Sequence, residues 1–89
     1  MYKIKVKLRN TPKKTGVYLF KNKQGAVVYI GKALNLKSRG GQYFDGHDTR
    51  PQIPFLVNDT VDFDYIITNN ELESLMLENT LIKKHQPKY

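Results

Sequence analysis

Apolar and polar residues alternate along several stretches of the chain, and this pattern predicts three strand regions. Residues 2–8 alternate apolar and basic side chains, a period of two that predicts an amphipathic strand. Residues 17–21 and 26–30 are rich in β-branched and aromatic side chains, and with the loop 22–25 between them they predict a β-hairpin. Residues 61–68 alternate again and predict a third strand.

Two shorter segments carry helix signals. Residues 34–43 predict a helix with Asn35 near its start. The consecutive glycines at positions 40 and 41 weaken this helix by up to about 1 kcal/mol each relative to alanine. Residues 50–58 predict a second helix, with Thr49 as its N-cap and Pro51 in its first turn.

The strongest helix signal covers residues 71–85. Asn69 or Asn70 can cap its start, acidic residues lie in its first turn and basic residues in its last. Pro87 ends it.

A four-residue hairpin loop would place Tyr18 directly opposite Tyr29, and Phe20 opposite Val27, on one face of the sheet. The opposite face would take Val17, Leu19, Val28 and Ile30 as core residues. The opposed tyrosines have two interpretations. They are a cross-strand aromatic pair that stabilises the sheet, or their hydroxyls bind phosphate or move protons.

The two residues after Tyr29 fit the second interpretation. Gly31 leaves room for a substrate backbone, and the Lys32 ammonium would favour a tyrosinate beside it.

On a helical wheel, Glu78 lies in the middle of the apolar arc of the last predicted helix. Leu75 and Ile82 fall on one side of it, and Leu77 and Leu81 on the other. A carboxylate placed there needs a partner. A salt bridge to a buried Lys or Arg would supply one, and so would a metal ion, since one carboxylate with waters and phosphate often holds Mg²⁺.

Basic residues follow the predicted hairpin closely. Arg39 and Tyr43 are four apart and share a helix face, with Lys37 nearby. They are either solvated surface residues, or Arg39 contacts a phosphate with Tyr43 donating a hydrogen bond beside it.

The amino-acid composition excludes several classes of function. The chain has 89 residues, which suits one small domain, and 39% of them are hydrophobic. It has no cysteine, so disulfide scaffolds, cysteine-ligated metal sites and thiol nucleophiles are excluded. No apolar run could cross a bilayer, and a cytoplasmic protein is expected.

The net charge of +7 is distributed unevenly. Residues 1–44 carry eleven Lys/Arg and no acid, whereas residues 45–89 carry four Lys/Arg and eight acids. A basic lobe of this kind suits a polyanion such as nucleic acid, or is simply a solvated basic face.

These residues resemble the GIY-YIG nuclease family. Gly16-Val17-Tyr18 and Tyr29-Ile30-Gly31 match its two half-motifs, and residues 32–39 continue the match. Residues 75–89 are similar to the end of the domain in the excision-repair branch of the family. The resemblance implies an α/β (α+β) domain, with a central three-stranded antiparallel sheet flanked by helices.

The resemblance also implies a divalent-metal-dependent endonuclease that hydrolyses a phosphodiester of DNA, with a single Mg²⁺ or Mn²⁺ held by Glu78. Tyr29, or else Tyr18, would be the general base, and Gly31 and Lys37 would contact substrate. The other residues expected to line the site are Lys32, Arg39 and Tyr43.

The excision-repair branch works with a UvrA/UvrB damage-recognition system, so these proteins and DNA are the expected partners. Residues 1–89 would be one nuclease domain, the N-terminal fragment of a longer bacterial protein. Two alternatives are a non-catalytic nucleic-acid-binding module, which does not account for an inward-facing Glu78, and a free-standing nuclease outside excision repair.

Overall fold

The structure is a computed structural model that describes residues 2–89. Its elements are α1 (Tyr2–Arg9), β1 (Gly16–Lys21), β2 (Val27–Ala33), α2 (Leu36–Asp45), α3 (Ile53–Asp59), β3 (Asp62–Ile67) and α4 (Glu71–His85). The strands form one antiparallel sheet in the order β2-β1-β3. The expected α+β class, a three-stranded antiparallel sheet flanked by helices, is confirmed.

Helices cover both faces of the sheet. On the first face, α1, α2 and α3 pack over the larger core, which contains Ile4, Tyr18, Phe20, Val28, Tyr29, Ala33, Leu36, Tyr43, Ile53, Leu56 and Phe63. On the second face, α4 packs over a smaller core formed by Val17, Leu19 and Ile30 with Leu77 and Leu81. Alternation along β1 produces this division, because successive side chains point to opposite faces. Within residues 2–89, no helix is long and apolar enough to cross a membrane.

The prediction of a strand at residues 2–8 is wrong, because the segment forms helix α1. Ile4 and Leu8 satisfy a period of two, but they are also four apart and share a helix face. In the helix Ile4 is 2% exposed, and the Lys7 ammonium reaches Asp62 on β3 at 2.9 Å. Tertiary packing therefore selects the helix, since the alternation alone is compatible with both structures.

The hairpin is confirmed, but its predicted pairing is wrong by two residues. Tyr18 lies opposite Gly31, and Phe20 lies opposite Tyr29. The loop closes through a hydrogen bond from the Asn22 N–H to the Ala26 carbonyl. Between Phe20 and Lys21, the pairing of β1 with β2 shifts by one residue. A shift of two preserves the face of each tyrosine, as predicted.

Val28 changes face because of the same irregularity. It was expected beside Val17 and Leu19, but it lies in the larger core with Tyr29. A β-bulge places two consecutive residues of one strand against one residue of the other, so it interrupts the alternation of side chains.

The predicted first short helix exists as α2, with Asn35 as its N-cap. The Asn35 side chain accepts a hydrogen bond from the Ser38 N–H at 3.1 Å. Gly40, expected only to weaken the helix, permits close packing: a Cβ there would clash with the Tyr18 hydroxyl and lie 2.6 Å from a methyl carbon of Leu8. A Cβ at Gly41 would meet nothing within 4 Å.

Helix α3 is shorter than predicted, and its predicted cap is wrong. It begins at Ile53, its N-cap is Gln52, and Pro54 rather than Pro51 occupies the first turn. The Gln52 side chain makes no capping bond. Thr49 therefore lies outside the helix, in the loop that follows α2.

Helix α4 has its predicted bounds, and Asn70 is its N-cap, accepting from the Glu73 N–H at 2.8 Å. The face that contacts the sheet lies about 50° from the predicted one on the helical wheel. Ser74, Leu77 and Leu81 face inward, whereas Leu75 and Ile82 are 40% and 38% exposed. Glu78 consequently lies at the border of the buried face and not at its centre.

Candidate active site

Two phenol groups meet over Gly31 on β2. The hydroxyls of Tyr29 and Tyr43 share a hydrogen bond of 3.0 Å. A Cβ at Gly31 would lie 2.7 Å from the Tyr29 hydroxyl and 2.9 Å from that of Tyr43. The second half-motif therefore requires glycine here, because a side chain would occupy the space that both hydroxyls use.

Tyr18 is separate from this pair. It is fully buried, and its hydroxyl donates a hydrogen bond to the Leu36 carbonyl in the first turn of α2. Burial raises the pKa of Tyr18 well above its usual value. The structure thus places Tyr18 under α2, where it supports the helix that carries Arg39 and Tyr43.

Arg39 lies against the ring of Tyr43, with which it shares a helix face. Its guanidinium carbon is 4.8 Å from the centre of the Tyr43 ring, and Nη1 donates to Gln42 at 3.1 Å. Burial raises the pKa of Tyr43, and the neighbouring Tyr29 raises it further. Tyr43 therefore remains a neutral hydrogen-bonding group at neutral pH.

Sequence reasoning missed two residues of this cluster, Asp48 and Arg50. Arg50 Nη2 lies 3.4 Å from the Tyr29 hydroxyl, and the Asp48 carboxylate bonds both Arg50 and Arg39. Both residues lie in the polar loop after α2, and the only signal in the sequence is an Asp and an Arg two positions apart. The folding of this loop over the phenols depends on tertiary contacts, which a periodic pattern in the sequence does not reveal.

Glu78 lies at the edge of the sheet. Its Oε2 accepts a hydrogen bond from the main-chain N–H of Lys32 at 2.6 Å, and Lys32 is on the edge strand β2. The path from the Tyr29 hydroxyl through Gly31 to this oxygen is no longer than about 9.5 Å. The carboxylate therefore lies one peptide unit away from the glycine beside the phenols, although α4 covers the opposite face of the sheet.

The structure does not bring the ammonium groups of Lys32 and Lys37 to the phenols. Lys32 pairs with Val17 on the α4 face, and its Nζ lies 3.9 Å from Glu71. Lys32 does line a shallow groove that it shares with Arg39. Lys37 Nζ donates to the Arg9 carbonyl at the end of α1, at 3.1 Å, and so stabilises a helix terminus.

A single divalent cation fits the donor set at this edge. Within residues 2–89, no group of three or more His, Asp or Glu side chains is placed to enclose a metal. The Lys32 N–H holds one oxygen of the half-buried Glu78, and in the same described part of the chain Oε1 has no hydrogen-bond partner. One positioned carboxylate, completed by waters and phosphate oxygens, suits Mg²⁺ or Mn²⁺.

Comparison with solved structures places this geometry in a known group. The N-terminal GIY-YIG endonuclease domain of UvrC from Thermotoga maritima, bound to magnesium as its catalytic divalent cation, matches with a TM-score of 0.89 and 37% identity. The match covers 100% of this chain and 97% of that one. Three variants of that domain, each with one tyrosine replaced by phenylalanine, are also described as bound to the catalytic divalent cation.

The fold and the phenol pair thus define a GIY-YIG domain. The family described as the UvrC-like GIY-YIG domain matches residues 14–89, and the chain belongs to it. UvrABC system protein C of Syntrophus aciditrophicus is 53% identical over 78 residues, 88% of this chain and 13% of that protein. The protein of the same name from Methanococcus maripaludis is 45% identical over 84 residues, 94% of this chain and 16% of that protein. The chain therefore spans only a small part of these relatives.

Proposed function

We propose that this chain is a divalent-metal-dependent DNA endonuclease domain of nucleotide excision repair, hydrolysing one phosphodiester bond. One observation supports the proposal: the Glu78 carboxylate bonds the N–H of Lys32, next to Gly31, where the Tyr29–Tyr43 pair lies with Arg39 against the Tyr43 ring. The basic half of the chain would attract the DNA backbone.

Each residue then has a role suited to its place. Glu78 would hold Mg²⁺ or Mn²⁺, which stabilises charge on a phosphodiester undergoing hydrolysis. Tyr29 is the proposed general base for the attacking water, since its hydroxyl lies beside Gly31 and contacts Tyr43 and Arg50, whereas that of Tyr18 donates to the Leu36 carbonyl under α2. Arg39 would bind and orient the phosphoryl oxygens, and Tyr43 would orient the Tyr29 hydroxyl.

The wider setting is also part of the proposal. Residues 1–89 would be the nuclease domain of a longer protein, since the curated relatives are about six to seven times as long. By its family, that protein would work in the cytoplasm with a UvrA/UvrB-type system that delivers damaged DNA. Incision on the 3′ side of the lesion is the expected reaction.

The test measures nicking of supercoiled plasmid DNA by the chain in the presence of Mg²⁺ or Mn²⁺. The protein is used at a concentration equal to that of the plasmid. Chelation should abolish nicking. Glu78→Gln and Arg39→Ala should each reduce the rate at least about 100-fold while circular dichroism shows an intact fold.

Glu73→Gln is the matched control for Glu78→Gln, since Glu73 is an exposed glutamate of α4 that bonds only the capping segment. It should cut like the wild type. Normal cutting by both active-site variants would exclude the mechanism, and a wild type that binds DNA but never cuts it would identify a binding module.

A further inference from the structure

Asp48 is buried in the loop that follows α2, although that loop is otherwise polar. Its side chain is only 5% exposed, and it faces two arginines. A buried carboxylate is costly unless cations and N–H donors surround it. The hydrogen bonds from Arg50, opposed by burial, hold the pKa of Asp48 below its usual range, so it is charged at neutral pH.

Both oxygens of this carboxylate are in use. Oδ1 accepts from Arg50 Nε at 3.1 Å and from the Arg50 main-chain N–H at 3.2 Å. Oδ2 accepts from Arg50 Nη2 at 2.9 Å and lies 3.1 Å from Arg39 Nη2. One carboxylate therefore holds two guanidinium groups in fixed orientations.

Each guanidinium group contacts one member of the phenol pair. Arg39 stacks on the ring of Tyr43, and Arg50 Nη2 reaches the hydroxyl of Tyr29. In the described part of the chain, Arg39 Nε and Arg50 Nη1 have no hydrogen-bond partner. Each arginine thus keeps a donor for a ligand while its other donors are occupied.

We propose that Arg50 is a second phosphate-contacting guanidinium of the active site, and that Asp48 is the positioning residue that holds Arg39 and Arg50 together beside the phenols. This inference rests on the proposed nuclease function and adds two residues to it. The pair offers a net charge of +1 after Asp48 is counted, with Arg39 Nε and Arg50 Nη1 as the donors left for phosphate oxygens.

Equilibrium binding of a short DNA duplex, measured across salt concentrations with Ca²⁺ in place of the active cation, tests the contact of Arg50. Arg50→Ala should lower the slope of log affinity against log salt by about one phosphate contact. Arg50→Lys should keep the slope, because it keeps the charge. Lys84→Ala, at an exposed residue of α4 outside the basic half of the chain, is the control and should keep the slope as well. A slope unchanged in Arg50→Ala would overturn the proposed contact.

Single-turnover cleavage by Asp48→Asn tests the positioning role. The variant keeps both arginines and removes a negative charge, so DNA binding should be equal or tighter while the cleavage rate falls about 10- to 100-fold. Asp45→Asn removes the same charge from an exposed residue nearby and should cut at the wild-type rate. An unchanged rate in Asp48→Asn would mean that Asp48 is only structural. A faster rate would mean that Asp48 competes with phosphate.

Two readouts remain decisive if the wild type does not cut. The salt slope still reports the contact of Arg50 with phosphate, and NMR of the guanidinium Nε–H groups reports their order. The Arg50 Nε–H signal should be protected from exchange in the wild type and lose that protection in Asp48→Asn. If Asp48→Asn unfolds, Asp48→Glu is measured in its place. The cleavage rate and the exchange of the Arg50 Nε–H are then expected to change in the same way. Failure of cleavage alone would therefore count against the nuclease proposal and not against the roles proposed for Arg50 and Asp48.

Discussion

The Glu78 carboxylate on α4 is tied to the main chain of Lys32 on β2, with 2.6 Å between Oε2 and the amide nitrogen. Lys32 directly follows Gly31, over which the two phenols meet. One peptide unit of the edge strand therefore links the proposed cation ligand to the proposed base. Through this link, a helix on one face of the sheet would serve the proposed site, whose aromatic groups lie on the other face.

This relationship predicts that Glu78→Asp is damaging even though it keeps the charge. The shorter side chain cannot both bond the Lys32 N–H and project the second oxygen toward the cation, so Mn²⁺ affinity should fall about 10- to 100-fold. Isothermal titration with Mn²⁺ measures the effect. Glu73→Asp is the control, and wild-type affinity in Glu78→Asp would show that the main-chain bond does not position the ligand.

Two adjacent glycines of α2 should respond in opposite ways to alanine. Gly40→Ala places a methyl group against the buried Tyr18 hydroxyl and Leu8, and should destabilise the fold by about 1–3 kcal/mol. Gly41→Ala meets open space in the same helix and should stabilise it by about 0.5–1 kcal/mol. Urea unfolding of both variants tests the packing, and equal effects would contradict it.

The two motif tyrosines should separate stability from activity. Tyr18→Phe removes a buried hydrogen bond to the Leu36 carbonyl and should cost about 1–3 kcal/mol of folding free energy, with cleavage nearly retained below the unfolding temperature. Tyr29→Phe should lower the single-turnover cleavage rate about 10²- to 10⁴-fold, with a much smaller stability change. Loss of cleavage in a folded Tyr18→Phe variant would show that Tyr18 takes part in catalysis.

Stability should decline in alkali. Burial raises the pKa of both Tyr18 and Tyr43 above the value of about 10 that applies to the unfolded chain. Above about pH 10 the unfolded chain therefore releases protons that the folded chain retains, and the free energy of unfolding falls as pH rises. Urea unfolding at several values between pH 8 and 11 measures the slope, and Tyr43→Phe should make it shallower. A flat profile would contradict the burial of both hydroxyls.

Much of the architecture was predictable because it depends on local physics. The β-branched and aromatic residues identified β1, and alternation identified β3. The caps and charges of residues 71–85 identified α4 with its bounds. The face shared by Tyr18 and Tyr29 was also correct, since a two-residue change of register preserves it.

The errors share one cause, which is that non-local contacts chose among locally acceptable structures. Residues 2–8 fit a helix as well as a strand until Ile4 is buried and Lys7 pairs with Asp62. The bulge at Val28 moved the side chain of this residue to the other face of the sheet. The helical wheel of α4 could not show which part of its wide apolar arc contacts the sheet.

The amino-acid sequence by itself determined the order of strands and helices from β1 onward, the half-motifs and the residue types of the site, because local spacing and side-chain chemistry encode them. Only the tertiary structure decided which of those residues meet. It buried Tyr18, turned the Lys32 side chain toward Glu71, and brought Asp48 and Arg50 to the phenols. The physical reason is that such contacts join residues far apart in the chain, and their geometry depends on how whole elements pack.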